Sequence, residues 1–104
     1  MLLRLEGRRL FNSAAIVARA DRKEAVRLAK DLSDYLNSKK MPVILEQTLA
    51  KRLGRPEAAL SLEEMRADLV VTIGGDGTIL RTCLQLPKPE PPILAINMGV
   101  RGFL

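Results

Sequence analysis

Two periodicities alternate along this chain. Short apolar, largely β-branched runs stand at Ala14 to Ala18, Val43 to Leu45, Leu69 to Ile73 and Ile93 to Asn97, as expected of parallel strands buried on both faces. Between the first two runs, Ala25, Leu28, Ala29, Leu32 and Leu36 recur on one face of a 3.6-residue period and predict a helix over about Arg22 to Ser38. Asp21 and Glu24 stand ahead of it at capping-box spacing. Pro42 opens the second strand, where the first ladder position can do without a donor. The run from Leu69 to Ile73 is the clearest strand. A further helix is predicted over about Thr78 to Leu86, and Pro87, Pro89, Pro91 and Pro92 form a stiff connector to the last strand. From Gln47 to Leu60 the pattern weakens: Leu49, Ala50 and Leu53 suggest one or two helical turns stopped by Gly54 and Pro56, and Ser61 with Glu64 repeats the capping-box spacing for another short helix. Strands alternating with helices through short connectors give right-handed βαβ units, so the predicted fold class is α/β: a parallel sheet of about four strands with helices on both faces.

With 104 residues the chain is one domain long. Its 47% hydrophobic content and near-zero mean hydropathy exclude disorder, and its apolar runs fall far short of the roughly 18 to 20 residues of a membrane span. The amino terminus has no signal-peptide pattern, so a cytoplasmic protein with no membrane partner is expected. Histidine is absent, which excludes imidazole zinc sites, Ser-His-Asp triads and histidine bases. What remains for catalysis is carboxylate, hydroxyl and backbone. The single cysteine, Cys83, lies among Ile79, Leu80 and Leu84 at helical spacing and is expected to be a buried, inert thiol. Seventeen Lys and Arg against twelve Asp and Glu leave a net charge of +5, which suits nucleic acid or an anionic substrate. The Pro89-x-x-Pro92 spacing reads as a rigid loop rather than a peptide ligand.

The chemistry concentrates at Gly74-Gly75-Asp76-Gly77-Thr78, between the carboxyl end of a predicted parallel strand and the start of a helix, where open α/β sheets bind ligands. Glycines there are expected to take positive φ and bring bare N–H groups to a phosphate, with the helix end adding unpaired donors. Neither familiar phosphate motif fits. A Walker A loop needs Lys and then Ser or Thr where Thr78 and Ile79 stand, and a dinucleotide fingerprint begun at Gly75 needs a small residue at Leu80. Asp76 would repel phosphate unless it served a hydroxyl, a metal ion or the helix end. Local sequence leaves two readings open, a helix cap and a kinase base that accepts an alcohol proton.

Two motifs together carry a resemblance: GGDGT followed by Ile79-Leu80-Arg81, and Asn97-Met98-Gly99-Val100-Arg101-Gly102-Phe103-Leu104 about twenty residues later. The chain resembles the amino-terminal domain of NAD kinases. GGDG alone is shared with phosphofructokinases and with diacylglycerol and sphingosine kinases, so the implied fold is the Rossmann-like nucleotide domain of that group. The resemblance implies phosphoryl transfer from ATP, or polyphosphate in some members, to the 2'-hydroxyl of the adenosine ribose of NAD, with magnesium, giving NADP. It implies Asp76 as proton acceptor, Asp76 and Gly77 as an NAD contact, Arg81 as a basic NAD-contacting residue, and Gly74 and Gly75 as the turn near the phosphates. Asn97, Gly99, Gly102 and Phe103 match a second loop lining the nucleotide cleft. No residue is assigned to a metal.

The resemblance also implies more than these residues: a second, all-β domain that completes the NAD site and builds a homo-oligomer. The chain is therefore expected to be the amino-terminal part of an NAD kinase, inactive alone, with apolar Leu104 an unusual natural terminus. The nearer alternative is a lipid kinase, which shares Asp76 but needs a different downstream glycine element. A nucleic-acid module is the remoter one: Gly99-Val100-Arg101-Gly102 has the spacing of a KH-type loop, but it follows a strand, and only Phe11, Tyr35 and Phe103 could stack on bases.

Overall fold

Val70, Val71, Thr72 and Ile73 are buried because the strand that carries them lies between two parallel neighbours. The computed structural model describes residues 4–5 and 8–98. Strands β1 (Arg4–Leu5) and β2 (Arg8–Arg9) pair antiparallel in a small ladder of their own. The main layer then runs β3 (Ala14–Ala18), α1 (Lys23–Ser38), β4 (Val43–Glu46), α2 (Gln47–Leu53), β5 (Ala59–Leu60), β6 (Leu69–Gly74), α3 (Asp76–Gln85) and β7 (Ile93–Asn97), with 3-10 turns at Pro56–Ala58 and Leu62–Glu64. Its five strands lie in the order β5-β4-β3-β6-β7, all pairs parallel, with Ala14 opposite Val43 on one side and Leu69 on the other.

Alternate residues divide the core. Ile16, Ala18, Leu45, Val71 and Ile73 pack with Ala25 and Ala29 of α1 and Leu49 and Ala50 of α2. Ala15, Val17 and Val70 face the other way, onto Leu62, Met65 and Leu86. Helix α3 shares that second face, so helices cover both sides of the sheet as expected. Its contact is made by small polar residues: Thr78 and Thr82 are buried, and Thr82 Oγ1 donates to the Thr78 carbonyl at 2.7 Å. Consequently Leu80 and Leu84 point outward, 60% and 71% exposed. Cys83 is half-buried, correcting the expectation of a buried thiol: threonines rather than leucines face the sheet, and the thiol lies at the margin of that contact.

The first and last predicted strands have the observed bounds. Other expectations shift for physical reasons. The capping box ahead of α1 does not form: Asp21 is held by Arg19 at 2.8 Å, and the N-cap residue is Arg22 with no side-chain cap. Strand β4 runs through Glu46 directly into α2, because the Glu46 carboxylate accepts from the Thr48 N–H and caps the helix at once. Gly54 closes α2 in the left-handed conformation (φ 68°), the anticipated stop. Helix α3 begins two residues before the predicted start, since the Gly75 carbonyl accepts from Thr78 and Ile79 and winds the glycine turn into the helix. Among the described residues no helix is long and apolar enough to cross a membrane.

Candidate functional site

The carboxyl ends of β4, β3 and β6 open onto one cleft of about 460 Å³. Gly75, Asp76, Gly77, Thr78 and Arg81 form one wall, and Ala18 to Asp21 with Glu46 and Thr48 form the other. A cleft beyond the strand ends of an open parallel sheet is where this architecture places its ligands.

The three glycines of the turn have separate duties. At Gly74 an added Cβ would lie 2.5 Å from Thr78 Oγ1 and 3.2 Å from the Arg19 Cβ, so this glycine lets α3 seat closely on the sheet. It is buried, and the cleft wall begins one residue later. Around Gly75 and Gly77 nothing lies within 4 Å of an added Cβ. Packing does not require glycine at either position, and both stand at the cleft with bare backbone. The expected positive φ is not found: Gly75 is extended (φ −110°), and Gly54 is the glycine with positive φ among those described. The turn works by close approach, since α3 starts immediately and needs no left-handed residue.

Asp76 is the first residue of α3, after the N-cap Gly75, and it is exposed at the cleft. Its carboxylate caps nothing. The hydrogen bond it makes among the described residues is from Asn97 Nδ2, at 3.4 Å to Oδ1, which leaves Oδ2 free. Parallel pairing sets Asn97 beside Gly74, and the Met98 N–H donates to the Gly74 carbonyl at 2.8 Å, fastening the end of β7 to the turn. Of the sequence-predicted site residues, the fold thus gathers Gly75, Asp76, Gly77 and Arg81 in the cleft, sets Gly74 beneath them and brings Asn97 against Asp76. Gly99, Gly102 and Phe103 lie outside the described residues, as does the Gly99 to Gly102 spacing of the nucleic-acid alternative.

Sequence reasoning passed over Arg19, Asp21, Glu46 and Thr48. Arg19 and Asp21 form an exposed ion pair at the mouth, in which the Arg19 guanidinium holds the Asp21 carboxyl below its ordinary range. Glu46 is 3% exposed. Position could have found Arg19 and Glu46, for Arg19 follows β3, beside the point between β3 and β6 where the strand order reverses, and Glu46 ends the neighbouring strand β4.

Fold and cleft together define an open-sheet α/β domain with a glycine turn and an exposed carboxylate at the mouth of its cleft. The chain belongs to the ATP-NAD kinase family: residues 14–104 match the ATP-NAD kinase N-terminal domain. It is 44% identical over 91 residues to the NAD kinase of Thermococcus kodakarensis, covering 86% of this chain and 32% of that one. Against the NAD kinase of Chlorobium limicola it is 42% identical over 91 residues, covering 86% and 31%. A bifunctional NADP phosphatase/NAD kinase of Methanocaldococcus jannaschii is 39% identical over 89 residues, covering 86% and 15%. The chain spans about a third of the length of the curated NAD kinases it matches.

Proposed function

We propose that these residues form the amino-terminal half of an NAD kinase site, which phosphorylates the 2'-hydroxyl of the adenosine ribose of NAD with ATP, or polyphosphate, as donor. The observation that carries this reading is the Asp76 carboxylate, set at a phosphate-suited turn and used for no cap or ion pair among the described residues.

The chemistry asks for little beyond positioning, charge neutralisation and a proton acceptor. Gly75 and Gly77 let phosphate oxygens approach the N–H groups at the start of α3, and Arg81, one turn further on, leans toward the amino-terminal end of its helix as helical side chains do. Asp76 accepts the 2'-hydroxyl proton as the ribose oxygen bonds to the terminal phosphorus of the donor; the bond from that phosphorus to its bridging oxygen breaks, and the shortened donor leaves. Asn97 holds one carboxylate oxygen and leaves the other for the proton. Among the described residues no three Asp, Glu, His or Cys side chains could hold a metal ion. A magnesium ion takes one or two carboxylates beside substrate phosphates and water, so the cation that accompanies ATP enters as part of the substrate.

The test joins this chain to the carboxyl-terminal two thirds of the Thermococcus kodakarensis NAD kinase and supplies NAD, ATP and magnesium. NADP formation, read by an NADP-specific dehydrogenase, is the expected result. A folded hybrid that turns over ATP without making NADP would overturn the reading.

A further inference from the structure

Glu46 is the one buried carboxylate among the described residues, and half of it is unsatisfied. Its Oε2 accepts from the Thr48 N–H at 3.1 Å, whereas Oε1 is covered from solvent and has no hydrogen-bond partner. A buried acceptor without a donor is costly and rare in native proteins. Glu46 also forms part of the cleft wall opposite Asp76 and Gly77. A ligand seated in that cleft can supply what the oxygen lacks once the carboxylate turns Oε1 out of its cover.

Charge decides which part of the ligand that is. Phosphates belong at the glycine turn and near Arg19 and Arg81, and a carboxylate repels them. Among the described residues no cluster of three Asp, Glu, His or Cys side chains surrounds Glu46, so a resident cation is not the partner assigned to it. The remaining complement is an O–H or N–H donor. Strand order supports the assignment: β4 and β6 are separated by β3 alone, and the register sets Glu46 level with Thr72, three residues short of Gly75, so the two stand roughly 14 Å apart at ordinary strand spacing and rise. That span suits a ligand with phosphates at one end and a nucleoside at the other.

We infer that Glu46 recognises the nucleoside end of the bound nucleotide, its free carboxylate oxygen accepting a hydrogen bond from a ribose hydroxyl or the adenine amino group. This rests on the nucleotide reading above and adds selectivity to it: the cleft distinguishes a nucleotide from a bare polyphosphate chain of equal charge.

The experiment titrates the isotope-labelled 104-residue chain with ATP, NAD and tripolyphosphate, without magnesium, following the Thr48, Gly75 and Gly77 amides and the Glu46 carboxyl carbon by NMR. ATP or NAD should shift all four signals, and tripolyphosphate only the two glycines. Glu46→Gln keeps an oxygen to cap Thr48 but turns the free acceptor into a donor. It should weaken nucleotide binding roughly tenfold or more and leave tripolyphosphate binding unchanged. A second arm needs no variant: of 2'-deoxy-ATP, 3'-deoxy-ATP and the purine riboside triphosphate lacking the amino group, one should bind wild-type protein as weakly as ATP binds Glu46→Gln, which identifies the donor. Equal effects of Glu46→Gln on nucleotide and tripolyphosphate, no effect on either, or failure of nucleotide to bind would overturn the inference. So would a Glu46 carboxyl signal that moves with magnesium alone. Binding does not require phosphoryl transfer, so Glu46-dependent nucleotide binding beside a hybrid that makes no NADP would count against the kinase reading alone.

Discussion

A methyl group at Gly74 would press on Thr78 Oγ1 from 2.5 Å, so Gly74→Ala must push α3 off the sheet or turn Thr78 aside. Overpacking of this kind costs roughly 1 to 3 kcal/mol, and urea denaturation should show a loss in that range. Gly77 stands in the first turn of α3 with open space around it, so Gly77→Ala should hold or raise stability by up to about 1 kcal/mol, because alanine suits a helix better. The same methyl group stands where phosphate is proposed to approach, so that variant of the hybrid kinase should show a raised KM for nucleotide. Opposite signs for stability and binding would mark a glycine kept for its ligand. For Arg81, on the same wall as Asp76, Arg81→Ala should raise the KM for NAD more than that for ATP, and unchanged values for both would return it to the solvated surface.

At the level of elements, α1 is joined to the segment after α2 through Asp34, which Lys30 approaches at 2.9 Å and Arg55 at 2.8 Å. Hydrogen bonds from Lys30 and then Arg55 hold the Asp34 carboxyl below the usual carboxylate range. The folded chain therefore binds fewer protons here than the unfolded chain in acid. This contribution is complete above the ordinary aspartate value of about 4 and is lost as pH falls through the lower folded-state value. Asp34→Asn should flatten the decline of the urea midpoint below about pH 4 and leave its slope unchanged near neutrality. The strands at Ala14 and Ile93 and the long helix could be read from periodicity, because burial on both faces or on one stripe writes itself into composition. A two-residue edge strand such as β5 has no period to read, and its place comes only from the pairing of Ala59 with Leu45. The place of the turn between β6 and α3 was legible, but the separate duty of Gly74 was not, for it depends on Thr78 and Arg19 arriving from other elements. Glu46 was hidden for a like reason: its burial is made by the fold, and along the chain it reads as the polar end of a strand.

In the molecule as a whole, two loops and the strand ends between them line a cleft of about 460 Å³, while the dinucleotide and triphosphate of the proposed reaction together present far more surface. Orienting both substrates can supply roughly 7 to 11 kcal/mol of barrier reduction in a complete site, and a half-site forgoes most of it. The 104-residue chain by itself should bind nucleotide weakly and show no turnover of NAD with ATP and magnesium. Clear turnover by the purified chain, abolished by Asp76→Asn, would contradict this. The most direct measurement of the central claim compares the hybrid kinase with its Asp76→Asn variant under saturating NAD and ATP. Asparagine preserves size and can still meet Asn97, so the fold should be unaffected, with stability changed by no more than about 0.5 kcal/mol. Turnover should fall by roughly 10²- to 10⁴-fold while the KM values move little, as expected when a proton acceptor is lost. Near-normal NADP formation by Asp76→Asn would show that the carboxylate at the head of α3 is not the base.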